Sequence, residues 1–246
     1  MNKYFMKKKD FEYGLKRGLP IALGYLPVSF TFGLMAVSGG IHPLLAVFIS
    51  LTNLTSAGQF AGTNLIIESA GLIEVTLTTF VINIRYMLMS LSLSQKIDPG
   101  ISLMQRLIFG FGITDETFTI ASTEKGKLSY SYMIGLITGP IIGWSSGTAL
   151  GAFTCSALPL SISSAMGIAL YAMFIAIIIP PSKKSKSILM IVLLSIGINM
   201  ALKYIPLFSF ISSGFRVIAA TVLGAGTGAA LWPVEDKPDA CEQNYK

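Results

Sequence analysis

Apolar residues along the chain gather into eight long runs, at about residues 18–39, 43–67, 72–95, 101–122, 130–153, 162–181, 187–205 and 209–233, with short polar loops between them. Each run is continuous over roughly twenty positions, the length a helix needs to cross a bilayer, and none shows the ten-residue alternation of a barrel strand. The pattern predicts an all-α, polytopic membrane bundle of six to eight membrane segments, some of them broken or re-entrant. It divides the chain into a basic stretch (1–17), a membrane domain (18–233) and a polar tail (234–246).

Charge refines the topology. Lys3, Lys7, Lys8, Lys9, Lys16 and Arg17 precede the first run, so the positive-inside rule places the N-terminus of a multi-pass membrane protein in the cytoplasm. No cleaved leader is expected, because the run after Arg17 continues through Pro20, Gly24 and Pro27 without a small-residue cleavage site. If all eight runs cross, Lys96 and Arg106 fall on the wrong side, whereas Lys125, Lys127, Lys183, Lys184 and Lys186 fall on the right one. Making runs two and four re-entrant brings every one of these charges inside. Run four is suited to that role, since its uninterrupted apolar core, Leu107–Ile113, gives way to Thr114, Asp115, Glu116 and Thr117. Both counts put the C-terminus in the cytoplasm.

Polar residues within the runs mark the candidate chemistry. Thr52, Ser56, Gln59 and Thr63 recur at spacings of four, three and four, which places them on one face of a helix. Run three carries a second stripe of Thr79, Asn83, Tyr86, Ser90 and Ser94. Such stripes serve either interhelical hydrogen bonds or the lining of a solute path. Arg85 lies mid-run, where a cation needs a partner, a cavity or a path. It sits about 200° from Asn83 on an α-helix, so an unbroken helix cannot aim both at one site. Either the helix is irregular, or Arg85 turns to a carboxylate such as Asp115 or Glu116.

Glycine and proline add two further features. Gly18, Pro20, Gly24, Pro27 and Gly33 predict a kinked or broken first run, whose freed backbone can hold a solute's charged groups. Gly135, Gly139, Gly143, Gly147 and Gly151 form a seam at four-residue spacing that reads as a packing interface, with Gly224 and Gly228 as a counterpart. A faint repeat relates Ile82–Tyr86 to Ile198, Asn199, Lys203 and Tyr204, with Pro27 and Pro140 heading the two halves.

Composition agrees with a membrane protein: 52% of residues are hydrophobic and 12% charged, against about 25% charged in soluble domains, and mean hydropathy is +0.68. Cys155 and Cys241 offer one pair and no metal-ligand spacing. Gly143, Ser145 and Gly147 match a nucleophile-elbow pattern, but in a helical run, and the chain's one histidine, His42, lies in a loop beside Pro43. No enzyme, metal, cofactor or nucleic-acid partner is expected, and no ATP-binding pattern is present.

The motifs together resemble one family. Gly24, Pro27, Phe30 and Gly33; Ser56–Phe60; Asn83, Arg85, Tyr86, Leu88, Met89 and Ser90; and Thr114–Phe118 are similar to the AzlC family, and the likeness continues through Gly143, Trp144, Gly147, Thr148 and Pro159 to Ala172–Ala176. This resemblance implies the large subunit of a secondary exporter of branched-chain amino acids, with methionine as a further candidate, working beside a small AzlD-type membrane subunit. Members often carry His where this chain has Tyr86, a phenol that keeps its proton through the physiological range.

A zwitterionic substrate needs a partner for its carboxylate, one for its ammonium and an apolar pocket. Arg85 or the first-run backbone suits the first, Asp115 or Glu116 the second, and Phe30, Phe60 and Met89 the third. Pro27, Ser56, Gln59, Asn83, Arg85, Tyr86, Ser90, Asp115 and Glu116 are therefore the expected pathway residues. Protons are the expected coupling ion, because Asp115 and Glu116, if buried close together, should include at least one carboxyl with a raised pKa. The competing readings are a gradient-independent channel and a purely structural assembly subunit.

Overall fold

The computed structural model describes residues 7–155, 185–208 and 210–232, with five further positions between 175 and 183. Run six lies almost wholly outside the described residues, as do Cys241 and the tail. Among the described residues there are nine α-helices and no strand. The chain divides into two compact units at residues 175 and 176.

The first unit holds α1 (Lys8–Ser38), α2 (Pro43–Thr52), α3 (Ala57–Ile67), α4 (Leu72–Ser94), α5 (Leu103–Gly110), α6 (Asp115–Thr123) and α7 (Tyr130–Thr154). The second holds α8 (Lys186–Tyr204), a 3-10 turn at Pro206–Phe208 and α9 (Ser213–Leu231). Five of these helices, α1, α4, α7, α8 and α9, are long and apolar enough to cross a membrane.

Helices α1 and α7 form the spine of the first unit and run parallel. The Lys7 amide donates to Ser131 Oγ (2.8 Å) at one end, and Ser38 Oγ meets Cys155 Sγ (3.4 Å) at the other. Between these ends a Cβ on Gly14, Gly18 or Gly33 would strike α7 backbone, and one on Gly135, Gly143, Gly147 or Gly151 would strike α1. The glycine seam is thus a close helix–helix approach within the chain. It also bears on the first run, which does not break: α1 is continuous through Pro20 and Pro27. Both prolines are exposed, so their rings project away from the seam while the glycine contacts hold the axis on α7.

Runs two and four are each two short helices that enter and return at one end. Gly39, just after α1, lies against the Ile67 side chain at the close of α3, so α2 and α3 form a hairpin open at the Ser38 end. For run four, Lys96 Nζ, just after α4, donates to the carbonyls of Ser122 (2.6 Å) in the last turn of α6 and Glu124 (2.7 Å) just past it. Arg17 pairs with Glu124 (3.8 Å) and Tyr13 donates to it (3.2 Å), which fixes this second hairpin at the Lys7 end. Lys127 Nζ reaches the Gln95 carbonyl (2.8 Å) there too. The re-entrant arrangement therefore gathers Arg17, Lys96 and Lys127 at one end of the unit.

The breaks have local causes. Asn53, Leu54 and Thr55 leave the helix, with Thr55 Oγ1 donating to Asn53 Oδ1 (2.7 Å), and Ser56 starts α3 at a φ of 45°, a region side-chain-bearing residues seldom occupy. At the second break Thr114 and Thr117 form a reciprocal capping box, and Thr117 Oγ1 also donates to the Gly112 carbonyl (2.9 Å). Gly112 permits close approach, since a Cβ there would strike Ile137 of α7. Each hairpin packs on its own half of α7: Phe109 and Ile113 with Met133 and Leu136, and Leu54 and Phe60 with Trp144 and Ala152.

In the second unit α8 and α9 are antiparallel. Gly224 faces Ser195 and Gly228 faces Ile191, so these small residues again mark the close approach.

Candidate functional site

Both hairpin breaks converge on the middle of α4. Arg85 Nη1 contacts Asp115 Oδ2 at 2.6 Å and Oδ1 at 2.7 Å, where α6 begins. Arg85 Nη2 donates to the Tyr86 hydroxyl (3.2 Å), which in turn donates to the Thr55 carbonyl in the first break (3.2 Å). Two consecutive residues of α4 therefore tie the tips of both hairpins to one another. From α1, the Tyr25 hydroxyl sits against Thr114 Oγ1 (2.8 Å) and the Glu116 carboxylate, and its ring meets Trp144 edge-on at 5.2 Å between centroids.

Asn83 faces the other way. Helix α4 is unbroken, so the 200° separation holds: the Asn83 carboxamide lies directly against Gly58 of α3, whereas Arg85 is turned to Asp115. Asn83 lines a cleft of about 670 Å³ between α2, α3 and α4, within the range of about 300–1,000 Å³ usual for small-molecule sites. Gln59, Thr63 and Thr79 supply other polar positions, and Ile41, Phe48, Ile66 and Phe80 are among its apolar walls. Asn83 Oδ1 and Thr63 Oγ1 are buried and have no hydrogen-bond partner among the described residues. Orphaned acceptors of this kind are rare unless something else occupies the space beside them.

A buried polar chain holds the wall of the cleft. Trp144 Nε1 donates to Gln59 Oε1 (3.0 Å), Gln59 Nε2 donates to Ser50 Oγ (2.5 Å), and Ser50 meets Thr148 Oγ1 (2.7 Å). Trp144 and Thr148, one turn apart on α7, thereby grip both arms of the first hairpin.

The expected pathway residues separate into groups. Gln59 and Asn83 share the cleft with Thr52, Thr63 and Thr79. The first stripe does not lie on one helix face, because the chain breaks between Thr52 and Ala57; the break itself brings Thr52 to the cleft. Ser56 forms the start of α3. Arg85, Tyr86 and Asp115 form the link between hairpin tips. Glu116 belongs to Tyr25, so each of the two carboxylates has its own partner, and neither lines the cleft. Pro27 is exposed on the continuous α1, and Ser90 lies a turn beyond Tyr86 outside the cleft lining. Phe30, Phe60 and Met89 do not form its apolar wall: Phe60 is buried against Phe32, and Met89 packs with the second hairpin's core. Tyr25, Ser50 and Thr55 escaped the sequence reading; the polar positions of Ser50 and Thr55 flank the first break and were legible only once that break was known.

A family model described as AzlC protein matches residues 20–158, more than half of the chain. The chain belongs to the AzlC family. Inner membrane protein YgaZ of Escherichia coli is 31% identical over 186 residues, covering 72% of this chain and 76% of that protein. An uncharacterized membrane protein of Archaeoglobus fulgidus is 32% identical over 181 residues, with 72% and 78% covered, and one of Helicobacter pylori is 28% identical over 151 residues, with 55% and 65% covered. No solved structure matches. An AzlC-family chain with these membrane relatives and five helices fit to span is a membrane protein with a transport-related role.

Proposed function

We propose that this AzlC-family chain is the pathway-forming large subunit of a two-component secondary transporter that exports branched-chain amino acids, with methionine as a further candidate. The observation that carries the reading is the cleft at the first break: apolar walls suited to an aliphatic side chain, beside buried polar atoms of Asn83 and Thr63 that have no partner among the described residues. Two hairpins entering from opposite ends and meeting at mid-helix supply the broken segments from which secondary transporters build midplane sites. A small AzlD-type membrane subunit is the expected partner. Asp115, whose carboxylate pairs with Arg85 between the hairpin tips, is the expected place of proton coupling. The N-terminus lies in the cytoplasm on this reading, because Arg17, Lys96 and Lys127 collect at its end.

The test is efflux and counterflow of radiolabelled leucine, isoleucine, valine and methionine from cells expressing the chain with its small partner. Saturable counterflow of at least one of them supports a transporter. Leak that neither saturates nor exchanges indicates a channel, and no movement of any of the four defeats the substrate assignment.

A further inference from the structure

The direction of one amide decides what the cleft offers. An indole nitrogen donates and cannot accept. The bond from Trp144 Nε1 therefore fixes the Gln59 carbonyl on the α7 side and turns its NH2 away. One hydrogen of that NH2 goes to Ser50 Oγ, and the other has no acceptor among the described residues. Gln59 is 1% exposed and lines the cleft. Residues lining the cleft thus carry an oriented donor at Gln59 with one hydrogen unused and, without a partner among the described residues, a buried acceptor at Asn83 Oδ1, packed against Gly58, and a second at Thr63 Oγ1, one turn beyond Gln59.

No Asp, Glu, Lys, Arg or His is among the described residues that line it. The nearest cation along α4, Arg85, is committed to Asp115 and Tyr86. A solute bearing a single net charge would lose its water here without gaining a countercharge, which is strongly unfavourable. A zwitterion, net neutral but strongly dipolar, can place its carboxylate on the donor and its ammonium on the acceptors.

We propose that Gln59 and Asn83, rather than Arg85, are the polar ligands of a net-neutral zwitterion in this cleft, and that Trp144 is the positioning residue that fixes which end of the Gln59 amide the solute meets. This deepens the transport reading and rests on it for the cleft being a solute site.

Radiolabelled L-leucine binding to the full chain in liposomes tests it, with 4-methylpentanoate, which lacks the ammonium, and 3-methylbutylamine, which lacks the carboxylate, as competitors. Both single-charge analogues should compete at least about tenfold more weakly than leucine. Gln59→Glu keeps an acceptor for Trp144 but replaces the donor by a carboxylate oxygen; the amine should gain on the acid and become the better competitor. Trp144→Phe keeps a ring against Tyr25 and frees the amide to turn; leucine affinity should fall about five- to tenfold, the worth of one oriented hydrogen bond.

Equal loss for all three compounds in Gln59→Glu, or unchanged leucine affinity in Trp144→Phe, would overturn the proposal. If leucine does not bind but another labelled zwitterion, such as L-threonine, does and Gln59→Glu still inverts the order of the two analogues, branched-chain export falls while the amide site stands.

Discussion

Gly58→Ala separates packing from function at the cleft. A methyl group there would meet the Asn83 carboxamide, Oδ1 first, with Nδ2 at 2.6 Å and Cγ at 2.8 Å. The obstacle is the tip of a side chain, not backbone, so Asn83 can turn away. Turning costs about 0.5–1.5 kcal/mol if it leaves its rotamer well, and it forfeits no bond at Oδ1, which has none among the described residues. Alanine in place of glycine within a helix returns up to about 1 kcal/mol. The two effects nearly cancel, so the variant should fold and melt as the parent does. What it displaces is a buried, unpartnered acceptor on a residue that lines the cleft, worth about 1–1.5 kcal/mol to a bound ammonium on the transport reading, or roughly a five- to tenfold rise in the leucine concentration for half-maximal counterflow. Gly24→Ala, where no atom lies within 4 Å, is the control and should transport normally. Counterflow in liposomes, beside thermal melting in detergent, reads both quantities. Normal counterflow in Gly58→Ala would refute the role of Asn83, and gross misfolding would show that the Gly58–Asn83 contact is structural.

Other perturbations test the remaining joints. Gly151→Ala aims its methyl at the Phe30 backbone carbonyl, which cannot turn aside, so overpacking of about 1–3 kcal/mol should lower melting temperature and yield of folded protein; an unchanged melt would contradict the seam. Arg85→Gln and Asp115→Asn each strand a charge, and the double variant should melt higher than strict addition of the two losses predicts. The coupling should stay below the 3–5 kcal/mol of a fully buried pair, because the side chains are 42% and 45% exposed; strict additivity would deny the pair. For topology, in a Cys155→Ser, Cys241→Ser background, an impermeant thiol reagent should label His42→Cys and Ser69→Cys from one side of the membrane, and Asp98→Cys and Lys125→Cys from the other. Labelling of His42→Cys and Ser69→Cys from opposite sides would mean that run two crosses.

The membrane class and the limits of α4, α7 and α8 were legible in the apolar runs, because a helix in lipid must be long and continuous, whereas α1 begins ten residues before its run, where the chain is polar. The re-entry of run four was legible as well, since Thr114–Thr117 both ends the apolar core and carries the residues of a capping box. Run two was harder. Leu54 interrupts Asn53, Thr55 and Ser56, so the break resembles a polar stripe until Ser56 is seen at positive φ. Run one was legible only in part: its prolines allowed a break or a kinked packing helix, and the continuous helix is held by glycine contacts between α1 and α7 made with residues more than a hundred positions away. The site followed the same division. The 200° argument correctly separated Asn83 from Arg85, because it depends on one helix. The apolar wall was missed because it depends on which helices meet.

That separation also bears on how a solute would pass. The first hairpin enters from the Ser38 end and the second from the Lys7 end, and their breaks are joined through neighbouring residues of α4: Tyr86 to Thr55, and Arg85 to Asp115. The cleft reaches α4 at Asn83 from the side of Ile41, Ile66 and Val75, and Arg85 lies about 3 Å further along the helix axis towards the Lys7 end. On the transport reading, the link through Arg85 then closes the route beyond the cleft, and passage requires that the hairpin tips part. Arg85→Lys keeps a cation for Asp115 but lacks the second nitrogen that reaches Tyr86. It should slow exchange across the bilayer while leaving leucine binding in the cleft at its parental value. Binding that falls in step with exchange would instead place Arg85 among the groups that hold the solute.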